Sequence, residues 1–149
     1  MRLLLDTNVL IDFYAQREPF CQSAKKLLIM RAFGDAELWA SAKSFTDIFY
    51  VLRKDADSAS IQRAFEESFQ WLQLCGVDGS DVTLAAHMKW NDFEDCLVYI
   101  CAQKVKADYL ITRDKNGFER AAIPVLSPEE FLQLIAETKG LSYDEIDLT

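Results

Sequence analysis

Arg2-Leu3-Leu4-Leu5-Asp6-Thr7-Asn8-Val9-Leu10-Ile11-Asp12-Phe13-Tyr14 opens the chain, and its reading decides the fold. Leu3, Leu4 and Leu5 form an uninterrupted apolar run suited to a strand buried on both faces. An acid, a hydroxyl and an amide follow at once. In an open α/β sheet, ligands bind outside the carboxyl ends of the strands, so an acid just after a first, central strand faces the crevice. Asp6 is therefore a candidate functional residue, although Asp, Thr and Asn here would also serve as helix caps.

Working outward, short helices are expected over residues 9–15 and from Pro19 to the stop at Gly34, with strand character over 36–41. Phe45, Ile48, Phe49 and Leu52 fall at i, i+3, i+4 and i+7, marking a helix over 42–54. Residues 58–75 read as one long amphipathic helix, 76–79 as a turn or very short strand, and 80–90 and 96–106 as further helices. Residues 108–112 and 123–126 have strand character, and Ser127-Pro128-Glu129-Glu130 has the form of a helix start. Strands alternating with helices imply a three-layer α/β/α sandwich around a short, mainly parallel sheet. Residues 1–137 form one expected domain and 138–149 an acidic tail. For that tail three readings stand: a solvated end, the simpler one, a fold-back onto the basic helix bearing Lys25, Lys26 and Arg31, or docking on a basic partner.

The totals exclude several classes of function. The chain has 149 residues, four cysteines without C-x-x-C spacing, one histidine, and 24 acids against 16 bases for a net charge of −8. A chain of this length can bury roughly 70% of its unfolded surface without disulfides or structural metal. The cysteines read as reduced core residues of a cytoplasmic protein. Asp6 and Asp12 interrupt any signal-peptide apolar region, and the longest apolar run, 97–102, is too short to span a membrane. His87 alone excludes two-histidine phosphodiesterase sites and disfavours a histidine-rich zinc centre. The acidic balance argues against sequence-independent nucleic-acid binding through a basic footprint, so a polyanionic substrate must be held locally.

Asp6, Asp95 and Asp114 fall where elements start or stop, and Asp47 projects from a helix away from its apolar face. Each has a structural alternative: Asp95 as the third residue of a capping box begun by Asp92, Asp114 as a turn residue, and Asp47 as solvated helix surface. Grouped, they need protons or a cation, since two carboxylates about 4 Å apart repel by roughly 4 kcal/mol at an effective dielectric of 20. An all-oxygen pocket suits Mg²⁺ or Mn²⁺. Thr7 and Asn8 are candidates to orient Asp6, Thr112 to do the same near Asp114, and Arg113 to contact a phosphate.

Three stretches, Asp6-Thr7-Asn8-Val9-Leu10-Ile11-Asp12, Asn91-Asp92-Phe93-Glu94-Asp95 and Ile111-Thr112-Arg113-Asp114, together resemble the motifs of PIN-domain ribonucleases, in the expected order over residues 1–136. The resemblance implies Mg²⁺- or Mn²⁺-dependent endonucleolytic cleavage of RNA at Asp6, Asp47, Asp95 and Asp114. It also implies a VapC-type toxin, commonly a homodimer, held inactive by a small antitoxin. Two positions depart from the family: Asp47 stands where Glu is common, and Gly117-Phe118 where a further acid often precedes Phe. A non-cleaving PIN-like module that binds RNA or protein is the alternative of a different class. A haloacid-dehalogenase-type phosphatase would need a second acid where Asn8 stands, and a receiver domain would need an adjacent acid pair that the chain lacks. Fifty per cent hydrophobic residues and ten phenylalanines further suggest an apolar contact surface on the early helices.

Overall fold

The computed structural model describes residues 1–144. Five strands, β1 (Arg2–Leu5), β2 (Glu37–Ser41), β3 (Leu72–Cys75), β4 (Tyr109–Ile111) and β5 (Val125–Leu126), form one sheet in the order β3-β2-β1-β4-β5, and every pairing is parallel. The helices are α1 (Thr7–Tyr14), α2 (Phe20–Ala32), α3 (Ser44–Leu52), α4 (Ser58–Ser68), α5 (Gly79–Met88), α6 (Phe93–Lys104) and α7 (Pro128–Lys139).

Because successive side chains on a strand point to opposite faces, the three leucines of β1 feed two cores. Leu3 and Leu5 pack with Val9 and Leu10 of α1, Leu27 of α2, Ile48 of α3 and Phe131 of α7. Leu4 packs with Ala85 of α5 and the Cys96–Ala102 face of α6. A strand that is fully buried on both sides has no polar alternation, and this is why its sequence is a plain apolar run. The result is the expected three-layer sandwich.

Chain order places the crevice. After β1 the chain builds β2 and β3 to one side, then returns to lay β4 on the other, hydrogen-bonding Asp6 N–H to the Ile111 carbonyl. The carboxyl end of β1 is thus a switch point, where helices leave in opposite directions and a cleft opens.

One expected element is wrong. Residues 58–75 are not a single helix: α4 ends at Ser68 and β3 follows, paired to β2 from Leu38↔Leu72 to Ser41↔Cys75. Leu72 and Cys75 are buried while Gln73 and Leu74 are exposed. That i, i+3 spacing continues the helical pattern, and no Gly or Pro marks the break. Smaller shifts occur elsewhere, such as α6 beginning at Phe93 rather than Cys96.

Gly140, in the left-handed region at φ 66°, ends α7. The next residues fold back on α2: Tyr143 is buried, stacks on Phe33 and donates its hydroxyl to Asp35, and Lys26 Nζ lies 2.6 Å from Asp144 Oδ1. The described part of the tail therefore follows the fold-back reading, while Glu145 and Asp147 lie outside the described residues.

Candidate active site at the carboxyl end of the sheet

Asp6 is the N-cap of α1 and only 7% exposed. Its Oδ1 accepts from the Thr7 N–H at 2.8 Å and its Oδ2 from the Thr112 hydroxyl at 2.8 Å. Thr112, fully buried just after β4, has one proton to give. It gives that proton to Asp6 while accepting from Asn8 Nδ2 at 3.1 Å and from the Asp114 N–H at 3.2 Å. Asn8 Oδ1 in turn accepts from the Arg113 N–H. The two strand ends are thereby tied together around one carboxylate. Burial raises the Asp6 pKa more than these hydrogen bonds lower it, and the charges of Asp92 and Asp114 add to the rise.

Asp95 occupies the third position of α6, where Asp92 caps its N–H at 3.0 Å. In the boxes that open α5 and α7, the third-position acids Asp81 and Glu130 reach back to the N-cap N–H. Asp95 closes no such box. Its carboxylate lies against Gly117, where an added Cβ would stand 1.7 Å from Asp95 Oδ2. With Asp95 in this orientation, a side chain at 117 would require its carboxylate to move. Desolvation first, then the charge of Asp6 followed by those of Asp92, Glu94 and Asp114, pushes the Asp95 pKa up to about 7. A carboxyl group that titrates near neutrality beside a buried acid marks a shared field of negative charge.

Asp114 accepts from the Asn116 N–H at 3.1 Å, the turn role considered for it, yet its charge also acts on both Asp6 and Asp95. Asp47 is on the more open wall. It pairs with Lys43 one helical turn earlier at 3.1 Å and couples to Glu94, whose own pKa is raised by desolvation and by Asp47, against the pull of Lys43. Glu94 also feels the charge of Asp6, which links Asp47 to the Asp6 group.

Three contributors went unassigned in the sequence. Glu94 sits inside a quoted motif, and the i, i+4 spacing of Lys43 and Asp47 was a usable signal. Ser44, which accepts from the Thr7 hydroxyl at 2.8 Å, carried none. The Arg113 guanidinium is held by both oxygens of the buried Asp12 and lies 4.1 Å over the Phe20 ring. Its visible work is to anchor the turn after β4 to α1. His87 is exposed on α5.

Among the described residues no three acids converge into a finished metal-ligand set. The donor chemistry nevertheless fits a hard divalent cation, because the groups whose charges act on one another here, Asp6, Asp95 and Asp114, are all carboxylates. Mg²⁺ keeps several waters and needs only one or two carboxylates from the protein. Size does not find this site: a cavity of about 700 Å³ opens at the opposite ends of the strands beside Met1, Arg2 and Lys106, away from Asp6, Asp95 and Asp114. The four cysteines are free and buried, and among the described residues no helix is long and apolar enough to cross a membrane.

A family model described as PIN domain matches residues 2–116. Ribonuclease VapC1 of Aquifex aeolicus is 26% identical over 140 residues, covering 89% of this chain and 94% of that protein. The crystal structure of Mycobacterium tuberculosis VapC20, described as a sarcin–ricin-loop-cleaving toxin, superposes with a TM-score of 0.64 at 12% identity over 79% of this chain and 94% of that one. VapBC-1 of nontypeable Haemophilus influenzae gives 0.62 at 17% identity over 87% and 99%.

Proposed function

The chain belongs to the PIN-domain family, and from that premise we propose that it is a divalent-metal-dependent endoribonuclease, the toxin of a toxin–antitoxin pair. The observation that carries the reading is Asp95: a third-position acid that leaves its capping box open and titrates near 7 beside the buried Asp6. A non-cleaving module has no need of a carboxylate kept free at such electrostatic cost.

Asp6 and Asp95 would hold the cation, with Asp114 and the Asp47–Glu94 pair completing the charge around its waters. When bound, Mg²⁺ or Mn²⁺ supplies a water of lowered pKa and positive charge to offset the phosphodiester. The chain's own groups do the remaining work. Thr112, Thr7 and Asn8 fix Asp6 before any ligand arrives. Lys43, held between Asp47 and Glu94 at 3.1 and 3.8 Å, places an ammonium at the rim, where an RNA phosphate must enter.

The VapBC neighbour supports a small antitoxin as partner. Exposed Tyr50 and Phe69 on and beside α3 and α4 offer apolar surface for it or for a second copy in a homodimer. Buried reduced thiols suit the cytoplasm. The test is incubation of the purified chain with RNA in Mg²⁺, Mn²⁺ or excess chelator. Metal-dependent fragments that chelator abolishes are expected, and cleavage unaffected by chelator would overturn the metal assignment.

A further inference from the structure

A cavity of about 190 Å³ adjoins the acids and is lined by Trp90, Asn91, Asp92, Asn116, Gly117, Glu119 and Arg120. Two of its lining residues belong to the catalytic wall: Asp92 caps α6, and Gly117 touches the Asp95 carboxylate. Its floor is rigid, since Trp90 is 8% exposed, stacks on Tyr99 with centroids 5.0 Å apart and meets Phe118 edge-on. Arg120 donates to the Met88 carbonyl at 2.8 Å, which holds its guanidinium near the Trp90 ring. Asn91 and Asn116 are exposed at the mouth.

We propose that this cavity is a nucleobase subsite that reads one base flanking the scissile phosphate. The proposal rests on the nuclease reading above and adds to it a determinant of substrate choice. The volume is on the scale of one nucleobase. Its chemistry is that of base recognition: side-chain amides and a guanidinium present paired donors and acceptors to a base edge, and a guanidinium also offers a flat face for stacking. Because Asp92 and Gly117 are common to both sites, a base seated here delivers its own backbone phosphate to the acids. The acidic field repels a phosphate that arrives without such an anchor.

Two experiments test it on the full chain, using Arg120→Ala and Asn116→Ala, both at exposed positions and checked for folding by circular dichroism. In the first, an RNA pool randomised around its cleavage sites is cut by wild type and variants. Wild type should prefer one base at a fixed position beside the break by about tenfold, the scale of one stacked or hydrogen-bonded base. The variants should flatten that preference to within about twofold while still cutting the disfavoured RNAs. A profile unchanged in both variants, or equal slowing of all RNAs, overturns the subsite. In the second, nucleoside 5′-monophosphates are titrated while the Trp90 indole resonance, assigned with Trp90→Phe, is followed by NMR. A base-dependent shift that Arg120→Ala removes supports the subsite even if no RNA is cut, in which case the nuclease reading alone fails. No shift with any of the four, or the same shift with ribose 5-phosphate, overturns it.

Discussion

Asp6 marks the buried wall of the proposed site and Asp47 its open one, and the two are held by different physics. Asp6 is buried and fixed by neutral donors, the Thr112 hydroxyl and the Thr7 N–H, which cannot leave. Asp47 has a side chain 38% exposed and is held by a lysine ammonium on a flexible stem. A hydrogen-bonded wall keeps its shape whether or not a cation is present. A wall held by a counter-ion must exchange that ion, so under the proposed function the first wall would define where a metal binds and the second how tightly. The largest test of this division is Asp6→Asn, which keeps shape and removes charge. Cleavage should fall by more than about a hundredfold, beyond what loss of an outer partner of a metal ligand causes, while the fold persists. Asp47→Asn should cost distinctly less. Equal losses at the two positions would erase the distinction.

Next in size is Thr112→Val, which removes the hydroxyl from Asp6 without changing the shape of the residue. Metal affinity and cleavage should fall by about 10- to 100-fold, as for other partners that orient a ligand. A buried carboxylate missing one donor also costs about 1–3 kcal/mol of stability, to be read from denaturant unfolding. Wild-type metal affinity in this variant would mean that the Thr7 N–H and the backbone suffice to place Asp6.

The two walls were not equally legible in the sequence. Asp6, Asp95 and Asp114 announce themselves because each follows a strand or starts a helix, and the caps at Asp92 and Ser127 are local patterns. The central β1 was readable because burial on both faces leaves no polar residue in it. The Asp6–Thr112 bond joins positions 106 residues apart, so nothing in either segment specifies it. Edge strand β3 was invisible because its spacing mimics α4 and its only pairing is with β2. The Lys43–Asp47 pair had a local signal in its i, i+4 spacing, but the Lys43–Glu94 pair joins segments 51 residues apart and is a tertiary fact.

If Lys43 is the counter-ion of the open wall, its removal should strengthen cation binding rather than weaken it. For Lys43→Ala we expect Mn²⁺ to bind a few-fold more tightly by titration calorimetry at low ionic strength. Exposed pairs of this kind contribute at most about 1 kcal/mol. The difference should shrink at high salt, where screening removes the lysine's influence. Weaker Mn²⁺ binding in Lys43→Ala would show instead that the lysine organises the two acids for the metal.

The smallest effect separates the walls by pH. Asp95, and Asp6 with it, has a folded-state pKa raised above its ordinary value, so each binds its proton more tightly in the folded chain than in the unfolded one. Such a group contributes stability that is full below the unfolded value and is lost as pH rises through the folded one. For Asp95 that window runs from 3.8 to about 7. Asp57, Asp78, Glu130 and Asp144, with pKa values lowered chiefly by hydrogen bonds to Ser60, Ser80, Lys115 and Lys26, act in the opposite sense over a lower range. The useful quantity is therefore the difference between wild type and Asp95→Asn, measured as Tm in chelator across the window. The variant should gain on wild type by roughly 2–4 °C between acid and neutral pH, the shift expected for a modest charge effect in a chain of this size. Excess Mg²⁺ should abolish that gain, because a cation stabilises the ionised carboxylate that the variant lacks. A difference that stays flat with pH would mean that Asp95 is solvated, and the contrast between the two walls would then rest on Asp6 alone.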